Sequence, residues 1–488
     1  MHDTLEGVTA TADAGRRGTL DRALSIFADV HGGEGKTALL LWLNVFLLLA
    51  AYYLIKTIRE PLVLAAAGGG AEIKSYSSAA IAGLLVFLVP AYSAIASRVS
   101  RVWLINGVTV FFIACLAGFF VWARAVGVPG SMPGEGDVAV DAVAAAGGGQ
   151  LALGVSFFIW VGIFNLMIVA QFWAFANDVY NVAQGKRLFA IIAFGASLGA
   201  IAGSKLAEVL VRSLGLYPIM AVAAGILGLC IVLTNAIHAR ERDRAEPVAA
   251  AKGQAASGSL TALDADAVIA GRSGFALVFS DRYLLLIAVL MLVLNLVNAT
   301  GEYIMSETLT NIAKDRVAQG LMTDADIGKW IGSFYGSYLF WTSTVAAIIQ
   351  AFLVSRIIKW FGVRGALLVL PVVALGAYAI LVAAPVLTLI RGAKIAENAL
   401  DYSLNNTARQ TLFLPTSREA KYKAKQAIDT FFVRFGDVLS AGLVFAGTTW
   451  FAFSPKHFAM VNVGLVLVWL GVAFALGRMF RERSGGEA

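Results

Sequence analysis

Apolar runs of about 20 residues, each long enough to cross a bilayer as a helix, recur from one end of this chain to the other. They begin near Thr37, Tyr76, Val102, Leu151, Leu188 and Leu216, and again near Tyr283, Trp330, Val363, Leu387, Ile428 and Phe458. Inside hydrocarbon, backbone N–H and C=O groups must satisfy one another within the segment, and the helix is the form that lets such a run do so. The expected fold is an all-α polytopic membrane protein with about twelve transmembrane helices. Composition agrees: 59% hydrophobic and 14% charged residues stand far from the roughly 25% charged residues of soluble domains.

The runs fall into two groups of six around an Ala/Gly/Ser-rich, charged segment at 238–273, whose composition reads as a flexible linker. The expected organisation is an N-terminal segment at 1–36, a six-helix bundle at 37–237, the linker, a second bundle at 274–482 and a tail at 483–488. Basic residues test the count. Arg16, Arg17, Arg22 and Lys36 precede helix 1, Arg98 and Arg101 follow helix 2, Lys186 and Arg187 follow helix 4, and Arg240, Arg242 and Arg244 follow helix 6. Arg356, Lys359 and Arg364 follow helix 8, Arg418, Lys421, Lys423 and Lys425 follow helix 10, and Arg478, Arg481 and Arg483 follow helix 12. The opposite loops hold Glu135, Asp137 and Asp141 and a mixed-sign stretch from Lys314 to Asp326. By the positive-inside rule both termini are cytoplasmic. The net charge of +7 then follows from topology and calls for no nucleic-acid partner. The polar first 36 residues and the length of the first apolar run argue against a cleavable signal peptide. The expected location is a bacterial inner membrane. Two six-helix halves, a long linker and similar basic loops after helices 2 and 8 match the plan of a major-facilitator-type transporter.

Charge inside such helices is what points to function. From Arg391 to Asp437 the chain carries Lys394, Glu397, Asn398, Asp401 and Asn405 at three- and four-residue steps, so one helix bears a polar stripe. Asp429, Gly436, Asp437 and Ser440 form a second stripe. A charge at helix centre costs roughly 2.5–3.5 kcal/mol on insertion scales, so both stripes are expected to face a water-filled cavity. Elsewhere Lys56, Arg59 and Glu60 close helix 1, Asn165, Gln171 and Asp178 lie on helix 4, and Asn295, Asn298 and Glu302 share a face of helix 7. Lys and Arg in a cavity suit phosphate or carboxylate. Lys205, Glu208 and Arg212 read instead as a salt-bridge ladder, and the helix 8 stripe Tyr335, Tyr338, Trp341 as packing.

Other signals point away from chemistry. His31 to Thr37 resembles a phosphate loop in composition, but Val30 stands where its first glycine belongs and a membrane helix follows. Cys115 and Cys230 fall in apolar runs, and four scattered histidines suggest no metal centre. No cofactor and no enzymatic activity are expected.

Three stretches, Gly68 to Lys74 (GGGAEIK), Phe172 to Ser197 and Asp401 to Asp429 (DYSLNNTARQTLFLPTSREAKYKAKQAID), resemble the ATP/ADP translocase family of plastids and intracellular bacteria. The resemblance runs from helix 1 to helix 12 apart from the linker and the acidic insert. It implies a carrier exchanging nucleotides or related phosphorylated anions by alternating access, in contact with membrane lipids, without hydrolysing ATP. The residues expected to meet substrate are Lys56, Arg59, Glu60, Asn165, Gln171, Asp178, Asn298, Glu302, Lys394, Asp401, Asn405, Asp429 and Asp437. The chain departs from the family's pattern in three places. Arg59-Glu60-Pro61 replaces Lys-Asp-Thr, Asn298 stands where helix 7 has a glutamate, and Asp437 stands where helix 11 has a lysine. Those departures leave open a proton-coupled carrier of another solute, using Asp401, Asp429 or Asp437, or a non-transporting receptor or scaffold on the same fold.

Overall fold

The structure is a computed structural model and describes residues 34–484 except 97–98, 100, 127–139, 181, 252–272 and 418. Twelve long helices follow in order: α1 Glu34–Leu64, α2 Ala71–Ala96, α3 Arg101–Val126, α4 Val140–Val179, α5 Val182–Leu214 and α6 Pro218–Ala251, then α7 Arg282–Ala318, α8 Asp324–Phe352, α9 Val354–Ala383, α10 (387–412), α11 (420–449) and α12 Pro455–Arg483. A short helix, Gly274–Ser280, leads into α7. Among the described residues ten of these helices are long and apolar enough to cross a membrane. The other two, α8 and α10, run beside them with more polar sequences, and a helix walled by protein and cavity can carry polar groups that a lipid-facing one cannot. Arg16, Arg17, Arg22, Arg98, Glu135, Asp137, Arg418, most of the linker and the end of the tail lie outside the described residues.

The elements differ from the sequence reading at their ends. Glu34–Thr37, the second half of the apparent phosphate loop, is the first turn of α1; the loop's earlier residues lie outside the described ones. α6 continues to Ala251, into the segment expected as linker, because an Ala/Arg/Glu-rich run has good helix propensity once a membrane helix has nucleated it. The basic stretch after α8 is mostly helical, and Gly362 (φ +65°) breaks it from the apolar part of α9 in a conformation open chiefly to glycine. π-helical turns at Asp401–Asn405, Ala420–Ala424 and Ile428–Phe432 interrupt α10 and α11.

Each half buries its own apolar core, one centred on α1, α4, α5 and α6 and the other on α7, α9, α10 and α12. Within the first half, α1 lies against α5 along Gly195, Gly199 and Gly203, where an added Cβ would strike the carbonyls of Trp42, Phe46 and Ala50 in turn. This four-residue repeat of glycine lets two backbones meet, which is how helices associate where burial of apolar surface supplies no net drive. The halves meet along two seams, α2 on α11 and α5 on α8.

At the end of the bundle nearest the termini, Arg187 and Gln184 of α5 hold Glu34 of α1, the guanidinium through two contacts of 3.1 Å. In the second half Arg483 grips Asp281 at 2.8 and 3.0 Å. Partial burial works against the Asp281 charge, but Arg483 and the Tyr283 N–H outweigh it and hold that carboxyl below the usual carboxylate range. The glycine contact yields the stability test. Gly199→Val is expected to lose roughly 1–3 kcal/mol through overpacking, read as a lower melting temperature in detergent, whereas valine at Gly225, whose Cβ position is open, should change it little.

Candidate functional site

α1 places its last two turns beside α2, α7 and α8, and this is where the polar groups of the two halves converge. A cavity of about 270 Å³ lies between the halves, walled by α1, α2 and α4 on one side and by α7, α8, α10 and α11 on the other. Four cations line it, Lys56, Arg59, Lys74 and Arg434, against three carboxylates, Glu60, Glu302 and Asp437.

The three carboxylates are all answered by cations. Glu60, 3% exposed, takes the Arg59 guanidinium on one oxygen, with Nε at 3.0 Å, and Lys74 Nζ on the other at 2.8 Å. Lys74 then crosses between the halves. Its ammonium donates to Ser306 Oγ at 2.8 Å and Tyr335 OH at 3.1 Å, and stands 3.6 Å from Glu302. Glu302 also accepts from Tyr338 OH at 3.0 Å and Asn398 Nδ2 at 3.2 Å, with Lys394 Nζ 3.9 Å away. Behind the wall, Lys394 is 1% exposed and satisfied by Asn298 Oδ1 at 2.6 Å and Glu397 at 3.0 Å, and Tyr378 donates to the same Glu397 oxygen. Lower on α11, Asp437 accepts from Asn295 at 2.8 Å and pairs with Arg434 at 3.3 Å.

Cationic capacity remains. Among the described residues no carboxylate lies within ion-pair distance of Lys56, whose ammonium stands 5.3 Å from the centre of the Tyr53 ring. Arg59 stacks 4.2 Å from the Phe158 ring centre, and Arg434 gives only Nη1 to Asp437. Tyr52 and Tyr402 supply aromatic wall. The site thus combines unmatched donors with aromatic faces, a combination suited to an anion attached to a flat ring.

Of the residues singled out from sequence, Lys56, Arg59, Glu60, Asn165, Asn298, Glu302 and Asp437 all line this cavity. The others lie elsewhere. Lys394 is the buried support behind Asn298 and Glu302. Asp401 accepts from Asn405 at 2.8 Å within the π-helical turn of α10, and Asp429 pairs with Lys425 at 3.2 Å. Gln171 is buried in α4 with both amide atoms unpartnered, and Asp178 is exposed near that helix's end. The helical stripe fixes a direction for each side chain but not how much of the stripe another helix covers. Lys205, Glu208 and Arg212 form the expected ladder. Tyr335 and Tyr338, read as packing, are cavity wall, while Trp341 faces outward. Lys74 was missed. It stands in the first turn of α2, at the end of the Gly68–Lys74 stretch, and that turn lies against the end of α1, where Lys74 meets Glu60.

At the end of the bundle away from the termini the halves are closed together. Beyond the Lys74 contacts, Tyr76 packs on Phe445, and Gly336 of α8 lies against the backbone of Glu208 on α5.

A model of the TLC ATP/ADP transporter family matches residues 155–480. ADP,ATP carrier protein 1 of Chlamydia muridarum is 24% identical over 366 residues, covering 66% of this chain and 64% of the relative. The chain therefore spans just under two thirds of the length of that relative. The protein of the same name from Chlamydia pneumoniae is 22% identical over 515 residues, covering 93% of each. Among solved structures, the nucleoside transporter NupG superposes with a TM-score of 0.56 at 14% identity, covering 91% of this chain and 99% of that one. A bacterial homologue of the human lysosomal transporter Spinster gives 0.53 at 14% identity, covering 92% and 98%. These likenesses establish the major-facilitator fold.

The inter-half contacts of Lys74 define the site's first test. Breaking a buried ion pair by removing one partner typically costs 3–5 kcal/mol, because the partner's charge is left buried; Arg59 and Lys394 still attend Glu60 and Glu302, so Lys74→Met should fall at or below the low end, about 3 kcal/mol. With Cys115 and Cys230 replaced, a cysteine at Ser78 should react faster with a membrane-impermeant thiol reagent from the far face in Lys74→Met. Adding Glu60→Gln should recover part of the lost thermal stability.

Proposed function

Because the chain belongs to the TLC ATP/ADP transporter family, we propose that it exchanges nucleotides, ATP for ADP or closely related phosphorylated anions, across a membrane by alternating access. It is a secondary transporter and not an enzyme. The observation that carries the reading is the cavity between the halves, where four cations face three carboxylates and Lys56 and the remaining donors of Arg59 and Arg434 are available. Phosphate oxygens bind such groups as point charge and as fork. Arg59, Lys56 and Arg434 then hold the phosphates, Asn165, Asn298 and Asn295 supply polar contacts, and Tyr52 and Tyr402 flank the base.

The departures from the family pattern have answers nearby. Glu302 follows Asn298 by one turn, on the same cavity wall. Asp437 is preceded one turn earlier by Arg434, so α11 still brings a cation to the cavity.

Alternating access follows from the ion pairs. With the far end shut through Lys74, substrate reaches the cavity from the end bearing the termini, which the positive-inside rule assigns to the cytoplasm, in a bacterial inner membrane. A bound phosphate competes with Glu60 and Glu302 for Arg59 and Lys74. That weakens the contact between the halves only when substrate is present, as coupling between binding and a conformational equilibrium requires. Exchange of a triphosphate for a diphosphate moves about one net charge, so the membrane potential would bias direction by about 2.3 kcal/mol per 100 mV.

Proteoliposome uptake of labelled ATP, with ADP, AMP, phosphate or nothing inside, tests the reading. Uptake is expected with internal ADP and absent from empty vesicles; no dependence on any internal anion would sink it. Lys56→Gln is expected to weaken half-saturation by about tenfold, the worth of one charge-assisted contact of 1.5 kcal/mol. A carrier driven instead by protons would respond to a pH gradient in empty vesicles and lose that response in Asp437→Asn.

A further inference from the structure

A second group of cations lies outside the central cavity, at the far end of the α5–α8 seam. There a recess of about 540 Å³ opens between the end of α5, the first half of α8 and the start of α10. Arg212 enters from the first half of the protein; Lys329 and Arg391 enter from the second.

Two serines set the geometry. Ser333 and Ser337 are four residues apart and so share one face of α8. Arg212 Nε donates to Ser333 Oγ at 2.7 Å and Arg391 Nη2 to Ser337 Oγ at 2.6 Å. The two guanidiniums are thereby drawn to neighbouring turns of the same helix. Arg391 also lies 5.4 Å from the centre of the Phe334 ring. Their charges are not balanced. Arg212 shares Glu208 with Lys205, at 2.9 Å each. The recess wall carries one carboxylate, Asp326, which also accepts from the Thr323 hydroxyl at 2.6 Å, so three cations on the wall face one carboxylate. Among the described residues no carboxylate is within ion-pair distance of Arg391 or Lys329. Arg212, Lys329 and Arg391 line one recess, and an anion placed among them would gain charge-assisted hydrogen bonds from each side of the seam.

We propose that this recess binds a phosphate-ester anion that bridges the two halves and so favours the arrangement closed at the far end. Position indicates the source. Arg391 is one turn inside the start of α10, and Arg212 is within the last turn of α5. Along α5 and α8, the helices of this seam, large apolar side chains are exposed, Leu206 and Val209 on α5 and Trp341 and Ile348 on α8. The cations thus stand at the end of an apolar, exposed strip, a position from which they would meet the phosphate of an anionic phospholipid while the strip takes its acyl chains. A soluble phosphate carries the same chemistry.

The full-length protein, purified in a neutral detergent, would be given phosphatidylglycerol, phosphatidylcholine or inorganic phosphate, and both retained adducts in native mass spectrometry and melting temperature would be read. Phosphatidylglycerol is expected to be retained and to raise the melting temperature, and phosphatidylcholine to do neither. Arg391→Gln with Lys329→Gln should weaken the anionic lipid about tenfold or more, given about one kcal/mol per basic residue near a membrane surface. Lys329→Gln alone, at an exposed position with no ion-pair partner among the described residues, should weaken it several-fold without touching the fold. Retention of inorganic phosphate that is lost in these variants would keep the anion site and make its source soluble. The proposal is overturned if the variants keep phosphatidylglycerol as tightly as the original protein. It is equally overturned if the original protein shows no preference for anionic over zwitterionic lipid and holds no phosphate.

Discussion

The arrangement of this protein turns on the cost of holding charge away from water. Glu60 and Lys74, 3% and 7% exposed, are tolerable inside a helical bundle because each meets opposite charge: they pair with one another at 2.8 Å, and Glu60 also takes the Arg59 guanidinium. Lys74 has three further partners in the opposite half. An isolated charge at that depth costs several kcal/mol. The same pairs that make the site affordable therefore also hold the halves together. Neither half satisfies all of these groups alone: without the second half Lys74 loses Ser306, Tyr335 and Glu302, and without the first half Glu302 loses Lys74.

That dependence gives the proposed mechanism its logic. A transporter must close around substrate more readily than around nothing, or it leaks. Where the contact between halves is apolar, an anion entering the cavity has no differential effect on it. Here the groups that bridge the halves are of the kind a phosphate binds. An incoming anion exchanges carboxylate partners for its own oxygens and alters the balance between the two arrangements by the difference in its contacts, which is all any ligand can do. The glycine contact of α1 against α5 packs two backbones of the first half directly together, away from the seams where the halves meet.

Much of this was legible in the sequence. The all-helical membrane fold and the cavity-facing positions of Lys56, Arg59, Asn298, Glu302 and Asp437 follow from period, length and the expense of charge in lipid. Two of the helices expected to span, α8 and α10, do not count among the ten long, apolar helices of the described residues. What period cannot supply is depth behind a wall. Lys394 lies on the same α10 stripe as Asn398, yet Asn298 and Glu397 cover it and only Asn398 reaches the cavity. Asp429 and Lys425 satisfy each other one turn apart, a local pairing that a stripe conceals. Lys74 was hidden for the opposite reason: three residues into its helix it has the address of a headgroup lysine, and only the packing of α2 beneath the end of α1 places it inside. The four-residue repeat of Gly195, Gly199 and Gly203 is a helix-packing signal carried by the sequence itself.

Asp437 shows how a single departure can mislead when charge is counted by position. A carboxylate where a lysine would be expected changes local charge by two units, enough on its own to question an anionic substrate. The structure places that carboxylate between Asn295 and Arg434, with the guanidinium also on the cavity wall. Asp437 therefore acts on Arg434 as much as on any solute: it orients one face of the guanidinium and leaves the others to the cavity. Across the site four cations still face three carboxylates, and the potential an incoming anion meets depends on that sum together with the low-dielectric walls. Arg434, one turn before Asp437, therefore still puts a cation on the α11 wall, and that local sum of charge, more than the identity of any one residue, is what bears on whether the cavity suits an anion.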